Sequence, residues 1–121
     1  MNNKSIYRER ILELYTEKPN FGKLDDKNKT HEIIHKNQLC NDEITFDLKI
    51  NNGKIEDAKF RGKLCFVSMV SAEVLAENIK GMTIKEVKNL KKEDIDKFLG
   101  AEISSTRIGC ELFPLEALKK L

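Results

Sequence analysis

Ile44-Thr45-Phe46-Asp47-Leu48-Lys49-Ile50, then Asn51-Asn52-Gly53, then Ile55-Glu56-Asp57-Ala58-Lys59-Phe60, is the stretch that decides the fold class. Ile44, Phe46, Leu48 and Ile50 alternate with Thr45, Asp47 and Lys49. Successive strand side chains point to opposite faces, so this pattern predicts a strand with one buried face. Asn-Gly supplies the positive φ angles of a tight hairpin turn, and residues 55–60 are placed to return as the next strand.

Downstream the period changes from two to that of a helix. Val67, Val70, Val74, Leu75, Asn78 and Ile79 fall at helical spacing over 66–79, and Gly81 is a natural stop. Residues 83–90 read as a short helix, with Thr83 as cap and Glu86 in the capping-box position. A third helix is expected over 93–99, ending at Gly100, and a last one over 111–121, with Pro114 tolerable in its first turn. Upstream, Ile6, Tyr7, Arg10, Ile11, Leu14 and Tyr15 form a stripe at helical spacing over 5–15, closed by the turn Pro19-Asn20-Phe21-Gly22. Residues 25–30 read as loop and 32–37 as a short strand. Helix, strands and helices in that order predict an α+β domain. It comprises an N-terminal helix, a three-stranded antiparallel sheet and C-terminal helices packed on one face, as a single domain over 1–121.

At 121 residues the chain can bury one core but not two. Its 22 Lys and Arg are interleaved with 20 Asp and Glu, which leaves no basic footprint for nucleic acid. No apolar stretch approaches a membrane span, so no membrane partner is expected. Met1-Asn2-Asn3-Lys4 lacks the apolar core of a signal peptide, and the expected location is cytoplasmic.

Cys40, Cys65 and Cys110 are odd in number and far apart, which argues against a disulfide framework. Taken singly, each reads as a small buried hydrophobe. All three nevertheless fall at junctions between predicted elements. If the chain is extended there, Cys40 and Asp42 project to the same side, where a thiolate and a carboxylate can reach one metal. Taken alone, Asp42 reads as a turn residue entering a strand. Cys65 immediately precedes a helix, whose unpaired amides and dipole favour the thiolate, and Cys110 stands at the entrance to the last helix. No CxxC pair is present. His31 and His35 lie upstream of Cys40 and read more simply as surface or satisfied histidines.

These junctions resemble the IscU/NifU/SufU family of iron–sulfur cluster scaffolds over nearly the whole chain. Asn37-Gln38-Leu39-Cys40-Asn41-Asp42 is similar to the family's Asn-Pro-x-Cys-Gly-Asp. Phe60-Arg61-Gly62-Lys63-Leu64-Cys65-Phe66-Val67-Ser68 is similar to its Phe-x-Gly-x-Gly-Cys-x-Ile-Ser, and Ile79-Lys80-Gly81 to the stop of the following helix. Arg107-Ile108-Gly109-Cys110 resembles the third cysteine before a closing helix, and Pro19-Asn20-Phe21-Gly22 a shortened Asn-Pro-Arg-Asn-x-Gly. The departures are Gln38, Asn41 and Leu64 in place of Pro, Gly and Gly. Leu64 sets a bulky side chain where the family has close backbone approach. Gly109 replaces the histidine of IscU-type members, and Ile103-Ser104-Ser105-Thr106-Arg107 replaces their chaperone-binding Leu-Pro-Pro-Val-Lys. Arg107 and the missing histidine resemble the SufU branch, but the insertion typical of that branch is not apparent, so the chain reads as a divergent member.

The resemblance implies a scaffold rather than an enzyme, with a sulfurtransferase role if it is SufU-like. It implies a [2Fe–2S] cluster held transiently by Cys40, Asp42, Cys65 and Cys110, or Zn2+ in the same site. Soft thiolates suit such a cluster, and one carboxylate makes a weaker corner from which it can leave. The implied partners are a cysteine desulfurase, whose sulfur would arrive first at Cys110, and apo iron–sulfur acceptor proteins. A homo-oligomer is compatible with it. The alternatives are a zinc-binding sulfur acceptor and a structural zinc or interaction module.

Overall fold

The computed structural model of the chain describes residues 3–37 and 41–121. In order they form α1 (Asn3–Glu17), β1 (His31–Lys36), β2 (Glu43–Asn51), β3 (Lys54–Lys63), α2 (Phe66–Asn78), α3 (Ile84–Lys88), α4 (Lys92–Leu99), a single 3-10 turn (Ser105–Arg107) and α5 (Ile108–Leu118). The α+β reading holds. The three strands form an antiparallel meander in the order β1-β2-β3. Asn52 and Gly53 take φ of +55° and +76°, the two left-handed residues that a tight hairpin turn demands.

Ile44, Phe46 and Leu48 of β2 are fully buried on one face, as the alternation requires. On β3 the buried residues are Ile55, Ala58 and Phe60, so the period of two slips once. A bulge opposite Lys49 and Ile50 absorbs the extra residue and keeps Ile55 facing the core. The opposite face of β2 is not simply open. Asp47 is fully buried there, its Oδ2 accepting from the Leu24 amide at 3.2 Å and from Arg61 Nη1 at 2.8 Å. The segment after α1 therefore lies across the outer face, which the alternation alone did not indicate.

Helix α2 is the central element. Ser68 to Ala76 are all buried, because α1, α4, α5 and β3 pack around it. A helix enclosed in this way carries apolar residues all round rather than on one stripe. Helix α5 packs on β1, β2 and α2, so the helices lie on one face of the sheet. Helix α1 contributes Ile11 and Leu14 to the core, while Leu12 and Tyr15 stay exposed.

Two boundaries beside the cysteines differ from expectation. Strand β3 continues to Lys63, and α5 begins at Ile108 rather than at residue 111. Cys110 therefore lies inside the first turn of α5, and Pro114 lies in the helix interior. The turn at residues 19–22 is fixed by a buried carboxylate: Glu73 accepts from the Asn20 amide at 3.0 Å and from its Nδ2 at 3.1 Å. Gly22 N–H then donates to the Phe60 carbonyl at 2.7 Å, tying the turn to β3.

Candidate metal and sulfur site

The start of β2, the end of β3 and the first turns of α2 and α5 meet at one corner of the molecule. Gly62 makes the strand ends close. It pairs with Ile44 at a φ of +148°, and a Cβ there would collide with the Glu43 carbonyl oxygen. Only glycine adopts this backbone without strain. Asp42 precedes Glu43 and Cys65 follows Gly62 by three residues, so this contact sets how near they come.

Cys65 is the N-cap of α2, with φ −70° and ψ 171°. The Ser68 amide donates to its Sγ at 3.5 Å, and the Ser68 hydroxyl lies 3.3 Å from the same sulfur. The Ser68 hydroxyl also lies 3.3 Å from Asp42 Oδ2 and 2.9 Å from the Cys110 carbonyl oxygen. Burial pushes the Cys65 thiol up. The Ser68 hydroxyl and amide and the Cys110 side chain stabilise the thiolate more, although the Asp42 charge opposes them, and the net pKa is below the ordinary thiol value. The helix-start expectation for Cys65 is met by a specific donor set as well as by a dipole. Cys65 and Cys110 are both half-buried and neither forms a disulfide.

Cys40 lies outside the described residues. The chain on either side of it is closed, since the Asn37 amide donates to the Asp42 carbonyl at 2.8 Å. Asn41 takes φ +57°, so the backbone leading to Asp42 is left-handed and not extended. The extended backbone that the alternation reading of Cys40 and Asp42 assumed is therefore not present at Asn41. The replacement of the family's glycine by Asn41 is conformationally mild, because asparagine is among the few residues that visit this region routinely. Leu64 packs against the hydrophobic core, which is where its bulk goes.

Among the described residues no group of three or more Cys, His, Asp or Glu side chains is arranged to hold a metal ion by itself. One hydroxyl nonetheless joins the Cys65 sulfur, the Asp42 carboxylate and the backbone of Cys110, and these side chains have the right donor chemistry for iron or zinc. The histidines stay outside it. His31 Nδ1 lies 2.8 Å from Thr30 Oγ1, and His35 stacks on Phe113 at 4.9 Å with Glu116 at 3.4 Å. Arg107 is exposed on the 3-10 turn.

Sequence reasoning missed Ser68 and Glu111. Glu111 follows Cys110 and is fully buried. Burial, with the hydrogen bond and charge of Asp96, pushes its carboxyl up to about 8, against the pull of Lys92 at 3.6 Å. The serine was visible only as part of a motif, and the glutamate only as one of two charges on a largely apolar helix.

An α+β domain that brings Cys65, at a strand–helix junction, beside Cys110, in the first turn of α5, defines a small thiol-bearing binding module. The chain belongs to the NifU-like N terminal domain family, whose model matches residues 6–120. It is 41% identical over 90 residues to the iron-sulfur cluster assembly scaffold protein IscU of Thermotoga maritima, covering 74% of this chain and 62% of that protein. It is 31% identical over 118 residues to the zinc-dependent sulfurtransferase SufU of Bacillus subtilis, covering 98% of this chain and 76% of that protein. A crystal structure from Fervidobacterium islandicum, described as a candidate iron–sulfur cluster assembly scaffold for the SUF system, superposes with a TM-score of 0.73 at 27% identity. That match covers 98% of each chain.

Proposed function

We propose that this chain is an iron–sulfur cluster assembly scaffold. A cysteine desulfurase delivers persulfide sulfur, a [2Fe–2S] cluster is built on Cys40, Cys65, Cys110 and Asp42, and apo-proteins receive it. The observation that supports the reading best is the link from Ser68 to Cys65, Asp42 and the Cys110 backbone at one half-buried corner. In sulfur delivery a scaffold thiolate attacks the terminal sulfur of the desulfurase persulfide. A new S–S bond forms, the old one breaks, and the desulfurase cysteine leaves as thiolate. Two such deliveries, two irons and an external reductant that takes each delivered sulfur to sulfide complete the cargo. The corner's own contribution is to hold the thiolates together and to offer one oxygen ligand among sulfurs. That ligand is the weaker partner for iron and keeps the cargo removable.

The second reading, a zinc-dependent sulfur acceptor, is favoured by Arg107 and the absence of a histidine before Cys110, which resemble the SufU branch, and by the Bacillus subtilis relative. Asp42→Ala separates the two. On the scaffold reading the variant still assembles a cluster without oxygen but hands it to an apo-ferredoxin more slowly than wild type. A zinc site losing one of four ligands simply weakens. Faster metal loss from Asp42→Ala, with no cluster on either protein, would refute the scaffold.

A further inference from the structure

We infer that Ser68 is a positioning residue, whose one hydroxyl holds Cys65, Asp42 and Cys110 in register, and that Pro114 makes the Cys110 end of this link available. The inference rests on the proposed ligand role of those three side chains.

The argument starts from α5. Proline has no N–H, and inside a helix its ring crowds the carbonyl four residues earlier. For Pro114 that carbonyl belongs to Cys110. It is deprived of its usual helical donor, and the Ser68 hydroxyl bonds it from α2 at 2.9 Å. Ser68 is fully buried, so no bulk water competes for the bond. A proline one helix away thus ties the backbone of one cysteine to the cap of another.

A serine hydroxyl carries one proton and two lone pairs. Asp42 Oδ2 and the Cys110 carbonyl can only accept, and Cys65 can also only accept once it binds a metal as thiolate. The single proton bonds one of them at a time, and the nearest is the Cys110 carbonyl at 2.9 Å, while Cys65 keeps the bond from the Ser68 amide. Removing the hydroxyl loosens the tie between the Cys110 backbone and the α2 cap, and with it the spacing of Cys65, Asp42 and Cys110.

Ser71 supplies a matched control. It lies three residues further along α2, is equally buried, and its hydroxyl donates to the next α5 carbonyl, that of Glu111, at 2.6 Å. It joins the same two helices by the same kind of bond, but this bond reaches no proposed ligand.

The test is zinc affinity of the metal-free protein, measured by competition with a chromophoric chelator, alongside urea unfolding. Ser68→Ala should weaken zinc binding about 10–100-fold, as loss of a partner that orients metal ligands does. Ser71→Ala should lower the unfolding midpoint comparably while leaving zinc affinity within about threefold. In a Pro114→Ala background the new amide can reach the Cys110 carbonyl, so adding Ser68→Ala should cost less affinity than it does in wild type. Unchanged affinity in Ser68→Ala, or equal weakening by Ser71→Ala, would overturn the serine's role while leaving the site intact. Equal losses in both backgrounds would overturn the part given to Pro114. Failure of the wild type to bind zinc at all would overturn the site itself.

Discussion

Cys65 has two roles that a substitution can separate. As N-cap it accepts from the Ser68 amide, and as a thiolate it is a proposed ligand. Serine is a good N-cap and a poor soft ligand. Cys65→Ser should therefore keep the stability of the metal-free protein within about 0.5 kcal/mol, whereas Cys65→Ala should lose about 1 kcal/mol with the cap. Both should lose metal binding. Chemical unfolding with metal titration checks this, and parallel losses of stability in the two variants would show that the cap contributes nothing. Cys65 was legible in the sequence because it stands between the strand alternation and the helical period, at the cap of α2. The hydroxyl beside it was not, since a serine in a helix has many roles and its partners lie 26 and 42 residues away.

At the scale of elements, the hairpin and the strand ends determine the site. Gly62→Ala places a Cβ against the Glu43 carbonyl at a φ that side-chain-bearing residues avoid. The cost should be about 1–3 kcal/mol, seen in urea unfolding, and the separation of Asp42 from Cys65 should weaken zinc binding as well. A stable variant with normal zinc affinity would show that the strand ends do not set the site. The strand alternation, the Asn-Gly turn and the Thr83 capping box could be read directly because each is a local rule, and local geometry decides the outcome. The start of α5 was misplaced because Pro114 suggests a first turn by local preference. Packing against α2 overrides it, with the Ser68 hydroxyl supplying the Cys110 carbonyl that the proline leaves without its usual amide. The buried outer face of β2 was missed for a similar reason, because Asp47 is covered by a segment distant in sequence.

At the scale of the molecule, Glu111 couples the α4–α5 packing to pH. Its carboxyl is raised from 4.5 to about 8, so between those values the folded chain keeps a proton that the unfolded chain has released. Its contribution to stability is full below the unfolded value and is lost as pH rises through the folded one. Unfolding free energy should fall between about pH 5 and 8, and Glu111→Gln should flatten that slope, as pH-dependent urea unfolding would show. An unchanged slope in the variant would place the titration elsewhere. The central claim, that this domain builds a cluster at its cysteine corner, is tested most directly without oxygen. The protein is incubated with a cysteine desulfurase, cysteine, ferrous iron and reductant, and its absorption spectrum is read with iron and sulfide content. The account predicts charge-transfer bands with iron and sulfide in equal amounts in the wild type, and neither in Cys65→Ser. A colourless wild-type protein carrying stoichiometric zinc and no sulfide would contradict it.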